Sequence, residues 1–137
     1  SDAWLEEKAA SADRVLLDVP CSATGTWRRR PDTRWRLTAD DVEAQTERQR
    51  RLLDDAQGLV MPGGRLIYAT CSVLAQENEL PVADFLDRHP DFAALDCAQV
   101  WRQILATPCP VDGPSLRLSP AATDTDGYFC AVLERRA

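Results

Sequence analysis

The chain has 137 residues, of which 45% are hydrophobic and 28% charged, a composition typical of one globular domain. No apolar run approaches the roughly 18 residues of a membrane span, and the acidic N-terminus lacks the apolar core of a secretory signal. A net charge of −6 argues against a generally basic, nucleic-acid-binding surface. Because no initiator Met is present, we expect the chain to be cut from a longer protein.

The first predicted strand covers residues 15–17, because a short continuous apolar run is typical of a parallel strand buried on both faces. A polar loop is predicted for about residues 21–37. Thr38 and Asp41 then have the spacing of a capping box. Apolar residues follow at helical spacing, which predicts a helix that ends at the Pro-Gly-Gly of residues 62–64.

A second strand is predicted for residues 65–70, followed by a helix over about residues 76–88. Pro81 is tolerated only in the first turn of a helix, so this helix begins at residue 76 or later. Residues 91–115 have no clear pattern, apart from a short apolar run at 92–95 that is compatible with a strand.

Two further strands are predicted at residues 116–118 and 128–133, joined through a turn region at 124–127 into a closing antiparallel hairpin. The order strand, helix, strand, helix, hairpin indicates an open α/β sheet that is mostly parallel. In such sheets, ligands bind beyond the carboxyl ends of the strands.

Two cysteines lie at those predicted strand ends. Cys21 follows the first strand and Cys71 follows the second, so their loops are about 5 Å apart if the strands are neighbours. A cysteine with a lowered pKa is a nucleophile. Together with Asp18, the two thiols suggest covalent chemistry on an electrophilic ring such as a pyrimidine, where a thiolate adds to carbon 6 and activates carbon 5.

Other interpretations of these residues are open at this point. Each cysteine, taken alone, is compatible with a buried packing residue, and Asp18 with a residue that caps a turn. A Cys21–Cys71 disulfide is disfavoured, because five widely spaced cysteines indicate a reducing, cytoplasmic setting. The remaining cysteines, Cys97, Cys109 and Cys130, have no motif around them and are interpreted as structural. With one histidine and no Cys-x-x-Cys, no metal site is predicted.

Several segments resemble motifs of the Sun/Nol/Nop family of RNA cytosine-5 methyltransferases. Residues 13–25 (DRVLLDVPCSATG) resemble its fourth motif, and residues 68–74 (YATCSVL) with 76–79 (QENE) resemble its sixth. Residues 28–35 (RRRPDTRW) are similar to the bacterial RsmB, or Fmu/Sun, branch, which modifies small-subunit ribosomal RNA. Residues 126–129 (DGYF) resemble the closing strand.

The resemblance implies a fold and residue roles. The fold is the rear half of a Rossmann-like class I methyltransferase that uses S-adenosylmethionine. Cys71 is the implied nucleophile that adds to carbon 6 of cytosine, and Cys21 assists release of the methylated product. Asp18 lies between the cofactor and the target base, and Pro20 shapes the wall against the base.

The chain also departs from the family pattern. Ala75 replaces a usual proline and Tyr128 a usual phenylalanine. The family binds its cofactor through a glycine-rich loop upstream of these motifs, and the six glycines here form no Gly-x-Gly. We therefore expect residues 1–137 to be the C-terminal portion of a catalytic domain, which alone is inactive and binds the cofactor weakly or not at all.

A basic segment interrupts the acidic chain. Residues 28–51 contain eight arginines against five acidic residues. Arg28, Arg29 and Arg30 are predicted to contact RNA, together with Trp27 and Trp35, because guanidinium groups neutralise phosphates and aromatic rings stack on bases. In the alternative interpretation, the tryptophans pack on the body and the arginines are simply solvated.

Two functions follow from the sequence. The first is part of an enzyme that methylates cytosine in RNA, with ribosomal RNA as partner and no membrane or metal. The second is a non-catalytic RNA-binding or assembly module that keeps the fold without turnover.

Overall fold

A computed structural model describes residues 2–137; Ser1, the first residue of the predicted partial domain, lies outside the described residues. The helices and strands follow in chain order as α1 (Asp2–Glu7), β1 (Ala12–Asp18), α2 (Ala39–Gln57), β2 (Val60–Thr70), α3 (Glu79–Arg88), β3 (Phe92–Leu95), α4 (Cys97–Ile104), β4 (Leu116–Leu118), α5 (Pro120–Thr123) and β5 (Tyr128–Arg135). Short 3₁₀ helices cover Thr24–Thr26, Pro31–Trp35 and Ala75–Glu77.

The strands form one sheet in the order β1-β2-β5-β3, and β4 also pairs with β5. β1 and β2 are parallel, with Asp18 opposite Ala69. β5 runs antiparallel to β2 and places Phe129 opposite Thr70. The carboxyl ends of β1 and β2 and the start of β5 therefore meet at one edge of the sheet, which is where the candidate site lies.

The predicted fold class is confirmed, and the antiparallel β4–β5 hairpin closes the sheet as expected. The sheet is mixed: β1 pairs with β2 in parallel, whereas the pairings of β5 with β2, β3 and β4 are antiparallel, because β5 alone is reversed within residues 2–137. β5 lies inside the sheet between β2 and β3. Because it runs in the opposite direction to both, its ladders with these two strands are antiparallel.

The core lies between the sheet and the helices α2 and α3. Leu53 of α2 and Phe85 of α3 are fully buried against Leu66 and Tyr68 of β2 and Phe129 of β5. Burying side chains of this size is the main favourable contribution to folding. The α2 N-terminus has the predicted capping box between Thr38 and Asp41.

The predicted end of α2 is wrong. The helix ends at Gln57, with Gly58 as its C-cap, and Val60 is already fully buried in β2. The Pro-Gly-Gly of residues 62–64 lies inside β2, where the pairing with β1 shifts register and Gly63 has a φ of 79°. These residues therefore bend a strand, whereas we expected them to stop a helix.

Two other differences concern β1 and α4. The prediction that the first strand is buried on both faces is wrong, because Leu16 is 69% exposed. α3 begins at Glu79, which puts Pro81 in its first turn, in line with the later start. α4 was not predicted; the side chain of Asp96 caps it by accepting from Ala98 and Gln99.

Candidate active site

The two predicted cysteines face each other at the sheet edge. The Cys21 and Cys71 sulfur atoms are 3.2 Å apart, and both are half-buried free thiols. The parallel pairing of β1 with β2 produces this contact, because Asp18 and Thr70 end their strands side by side. The expectation that the two strand ends bring these thiols close together is confirmed.

Three chain segments are bonded together behind the thiols. The Gly25 amide donates to the Cys71 carbonyl (2.9 Å), and the Gly127 amide donates to the Gly25 carbonyl (2.7 Å). The backbones approach so closely that a Cβ at Gly25 would lie 2.2 Å from the Gly127 oxygen. Only glycine fits at position 25, so the junction of the β1 loop, the β2 loop and the start of β5 depends on it.

The thiol contact makes the two cysteines chemically different. A hydrogen bond from Cys21 lowers the pKa of Cys71 to about 7, from an ordinary value of 9.0, although burial and the charges of Asp18 and Glu77 oppose this shift. The same bond and burial raise the pKa of Cys21. Cys71 is therefore the thiolate of the pair, and Cys21 the thiol that donates to it.

Asp18 and Tyr128 face the same site. Asp18 is exposed at the end of β1, and its charge raises the pKa of Cys71. Burial raises the pKa of Tyr128, and the charges of Asp18, Cys71 and Cys21 raise it further. Tyr128 is 42% exposed, whereas the next residue, Phe129, is buried in the core. Sequence reasoning recorded Tyr128 only as a departure from a motif; strand alternation could have assigned it to the site.

A buried polar cluster lies beneath the thiols, and sequence reasoning missed it. The Glu77 carboxylate is completely buried and accepts hydrogen bonds from Ser22, Ser72 and Gln49. Gln49 also donates to the Pro20 carbonyl (2.9 Å). Ser22, Ser72 and Glu77 lie within the motif segments described above, whereas the contacts of Gln49 depend on long-range packing of α2 against the strand ends, for which the local sequence carries no signal.

The predicted RNA-contacting arginines lie on the surface beside β5. Arg28 pairs with Asp124 (3.2 Å) and Arg29 with Asp126, whereas Arg30 is exposed. The exposed pair of Arg28 with Asp124 contributes little to stability, whereas Asp126 of the second pair is half-buried.

The two tryptophans of this segment differ in exposure. Trp27 is half-buried, as in the packing interpretation, whereas Trp35 is 82% exposed. The Arg34 guanidinium lies 5.3 Å from the Trp35 ring centre and 6.0 Å from that of Trp27. Trp35 and Arg34 together therefore present an exposed aromatic and cationic surface.

A cavity of about 330 Å³ opens beside Cys21, between its loop and the start of α2. Arg36, Asp41 and Gln45 contribute polar groups to its wall. Its volume is within the range of small-molecule pockets, about 300–1,000 Å³.

Across residues 2–137, no group of three or more His, Cys, Asp or Glu side chains is arranged to hold a metal ion. In the same part of the chain, no helix is both long and apolar enough to span a membrane.

Comparison with known proteins gives a consistent result. Residues 1–134 match the family of the 16S rRNA methyltransferase RsmB/F. Ribosomal RNA small subunit methyltransferase B of Vibrio cholerae is 45% identical over 126 residues, which are 90% of this chain and 26% of that protein. The chain thus spans about a quarter of the length of this curated relative.

Solved structures agree in fold. The crystal structure of PH0851 is 39% identical, with a TM-score of 0.79 over 93% of this chain and 27% of that one. The crystal structure of NSun6 from Pyrococcus horikoshii with SFG is 27% identical, with a TM-score of 0.77 over 100% of this chain and 33% of that one.

Proposed function

The chain belongs to the RsmB/F family of 16S rRNA methyltransferases, and we propose that it carries the reaction centre for methylating carbon 5 of a cytosine in RNA. The observation that carries the proposal is the 3.2 Å thiol pair at the strand ends, in which one member is a thiolate near neutral pH. Small-subunit ribosomal RNA in the cytoplasm is the proposed substrate.

Cys71 is the proposed nucleophile. Its thiolate adds to carbon 6 of the cytosine, and the electrons of the carbon 5–carbon 6 double bond make carbon 5 nucleophilic. A pKa of about 7 supports this role, because about half of the Cys71 population is then thiolate at neutral pH. An ordinary thiol with a pKa of 9.0 would be about 1% ionised there.

Cys21 is proposed to assist product release. After methylation, the proton on carbon 5 is lost to water and the electrons of the sulfur–carbon 6 bond return to Cys71. A thiol 3.2 Å from that sulfur stabilises the departing thiolate by donating a hydrogen bond. Cys21 retains its proton for this purpose, because its pKa is raised.

Asp18 and Pro20 are proposed to contact the base. Asp18 is an exposed carboxyl group whose charge reaches Cys71, a position compatible with accepting a hydrogen bond from ring nitrogen N3 once addition of Cys71 makes that nitrogen basic and it takes up a proton from water. Pro20 is half-buried and held by Gln49 through its carbonyl, so it offers a fixed wall. Tyr128 faces the same space and supplies an aromatic surface for the base.

S-adenosylmethionine is the proposed cofactor, and when bound it supplies an electrophilic methyl group. The donor set of this chain fits one end of such a molecule, because Asp18 is a solvent-facing carboxylate next to the nucleophile and suits a cationic ligand. Asp18 is thus the residue of this segment that would lie between the cofactor and the base. SFG, which accompanies the NSun6 structure, is an analogue of S-adenosylmethionine and supports this choice.

The RNA is proposed to lie along Arg28, Arg29 and Arg30. Arg34 and the exposed Trp35, which lie a few residues later in the sequence, form an aromatic and cationic surface that supports the proposal. Arg28 can exchange its exposed partner Asp124 for a phosphate at small cost, whereas the partner of Arg29, Asp126, is half-buried.

The test is methyl transfer to small-subunit ribosomal RNA from tritiated S-adenosylmethionine, with the complete gene product that carries this chain. Cys71→Ala is expected to reduce the rate at least about 1,000-fold, because it removes the nucleophile. Cys109→Ala is the matched control, since Cys109 is also a half-buried free thiol and is expected to leave the rate unchanged. Full activity of Cys71→Ala would refute the assignment. RNA binding without transfer in the unsubstituted protein would favour the non-catalytic module.

A further inference from the structure

Glu77 is a buried acid to which the chemistry above gives no task. Its side chain is completely buried in the 3₁₀ helix that precedes α3. Among residues 2–137 its carboxylate contacts no cation; it accepts hydrogen bonds from neutral groups only. A buried carboxylate without a counter-ion is costly, so its lone pairs must be satisfied by well-placed donors.

The donors come from the two thiol loops and the helix behind them. The Ser22 amide (2.8 Å) and the Ser22 hydroxyl both donate to Glu77. The Ser72 hydroxyl donates at 2.7 Å, and the Gln49 amide at 3.0 Å. Ser22 directly follows Cys21 and Ser72 directly follows Cys71. One carboxylate therefore bonds the immediate neighbour of each thiol.

Glu77 and Gln49 together hold the chain on both sides of Cys21. On either side of Cys21, the chain is held by Gln49 at the Pro20 carbonyl and by Glu77 at Ser22, and Gln49 is itself bonded to Glu77. Further along the chain the two loops are also joined directly, because the Gly25 amide donates to the Cys71 carbonyl and Thr24 bonds Ser72 and Val73. Glu77 adds a link at the residues next to the two thiols, where it bonds Ser22 and Ser72.

We propose that Glu77 is a positioning residue, which holds the loops of Cys21 and Cys71 so that the two thiols stay at hydrogen-bond distance. The role of this positioning in catalysis rests on the proposed function. The contact between the two thiols does not, because it is formed within this chain. Glu77 touches neither reacting atom. It acts through Ser22, Ser72 and Gln49.

The charge of Glu77 and its positioning of Cys21 have opposite effects on the pKa of Cys71, so the two roles can be told apart by experiment. The negative charge of Glu77 raises the pKa of Cys71, whereas the bond from Cys21 lowers it. The other ionisable groups that act on this thiol or respond to it are Asp18 and Tyr128, and the test leaves both unchanged. Losing only the charge would make Cys71 more acidic, and losing the position of Cys21 would make it less acidic.

The experiment measures the rate of iodoacetamide alkylation of Cys71 against pH in the complete gene product, without RNA or cofactor. Each of the five cysteines of this chain lies on its own tryptic peptide, because an arginine separates every consecutive pair, so mass spectrometry reads Cys71 alone. The unsubstituted protein is expected to show a midpoint near pH 7. Glu77→Ala is expected to raise the midpoint by about one pH unit, toward the ordinary thiol value.

Glu77→Gln is the conservative variant and is expected to restore the midpoint to pH 7 or slightly below. Its amide oxygen accepts from Ser22 and Gln49, and its NH₂ group donates to the hydroxyls of Ser22 and Ser72, which can reverse their roles. Leu53→Ala is the control for general destabilisation, because Leu53 is fully buried in the core and makes no polar contact. Its midpoint is expected to stay near pH 7 while the melting temperature falls.

An unchanged midpoint in folded Glu77→Ala would overturn the proposal. If that variant does not fold, Ser22→Ala takes its place, because it removes one hydroxyl bond to Glu77 and is expected to shift the midpoint upward by a smaller amount; no shift there would equally overturn the proposal. Failure of the proposed function looks different: methyl transfer would be absent from the unsubstituted protein, while the midpoints of the variants still moved.

Discussion

At the scale of the residue, the site depends on the unequal sharing of one proton between two sulfur atoms. Cys21 and Cys71 are of the same residue type and both are half-buried, yet one is made more acidic and the other less. The difference arises because the hydrogen bond between them stabilises the charged form of Cys71 and the neutral form of Cys21. The two thiols are thereby made chemically different without a histidine.

The first prediction concerns this asymmetry. Cys21→Ala removes the donor to Cys71 and is expected to raise its alkylation midpoint from about pH 7 toward 9. Because the thiolate fraction falls about tenfold for each unit by which the pH lies below the thiol pKa, the reactive fraction at pH 7 falls by up to about 50-fold. Peptide-resolved alkylation measures this change. Cys109→Ala, whose thiol lies outside the site, is expected to leave Cys71 unaffected, and an unchanged midpoint in Cys21→Ala would contradict the shared-proton account.

The second prediction separates the charge of Asp18 from its proposed contact with the base. Asp18→Asn removes a negative charge that raises the pKa of Cys71, so alkylation at pH 6 is expected to become faster. Methyl transfer by the same variant is expected to fall by about 100-fold, because the carboxyl group no longer stabilises the ring. Parallel loss of both reactivities would indicate a merely structural Asp18.

Some residues of the site were predictable and others were not, for a physical reason. Asp18, Cys21 and Cys71 each follow a strand that is visible as an apolar run, so their meeting at the sheet edge was foreseeable. Glu77 and Gln49 come together only because α2 packs beneath the strand ends. The two residues are 28 positions apart in the sequence, so no local sequence pattern indicates their contact.

At the scale of the element, the junction of three loops keeps the site in register. The Gly25 amide donates to the Cys71 carbonyl, and the Gly25 carbonyl accepts from the Gly127 amide. One glycine therefore joins the segments that follow β1 and β2 to the segment that precedes β5. The absence of a side chain is what permits this approach, because a Cβ at Gly25 would meet backbone atoms that cannot rotate away.

The third prediction tests this junction. Gly25→Ala is expected to lower the free energy of unfolding by about 1–3 kcal/mol through overpacking, and to reduce Cys71 reactivity at pH 7. Gly58→Ala is the matched control, because its Cβ would lie 3.7 Å from the Asp55 oxygen and its φ of −65° suits alanine. Urea denaturation is the measurement, and equal stability of the two variants would refute the close-approach argument.

The elements themselves differed in how well local signals described them. The capping box at Thr38 predicted the start of α2 correctly, because both partners lie within one turn. The Pro-Gly-Gly of residues 62–64 was misread, since the same residues that stop a helix also bend a strand. α4 was not predicted, because its N-cap residue Asp96 lies within a stretch whose apolar residues have no clear helical or strand spacing.

At the scale of the whole molecule, an acidic chain contains a locally basic segment. The net charge is −6, yet Arg28, Arg29 and Arg30 follow one another on exposed positions shortly before the exposed Trp35 in the sequence. A localised patch of this kind directs a polyanion to one side of the protein, whereas a uniformly basic surface would bind it anywhere.

The fourth prediction tests that localisation. A triple substitution of Arg28, Arg29 and Arg30 by alanine is expected to weaken RNA binding and to lower the slope of log affinity against log salt by about 0.7 for each lost contact with single-stranded RNA. The matched control substitutes Arg48, Arg50 and Arg51 of α2, where Arg50 pairs with Asp84 and Arg51 with Glu47. Equal effects of the two triple substitutions would contradict a localised RNA surface.

The most direct measurement of the central claim is the mass of the peptide that becomes covalently attached to RNA. The complete gene product with Cys21→Ala is incubated with small-subunit ribosomal RNA and S-adenosylmethionine, separated under denaturing conditions and digested with trypsin and nuclease. We predict a cytidine adduct on the peptide of residues 66–88, which contains Cys71 and no other cysteine. An adduct on another cysteine peptide, or no adduct in a variant that still binds RNA and cofactor, would contradict it.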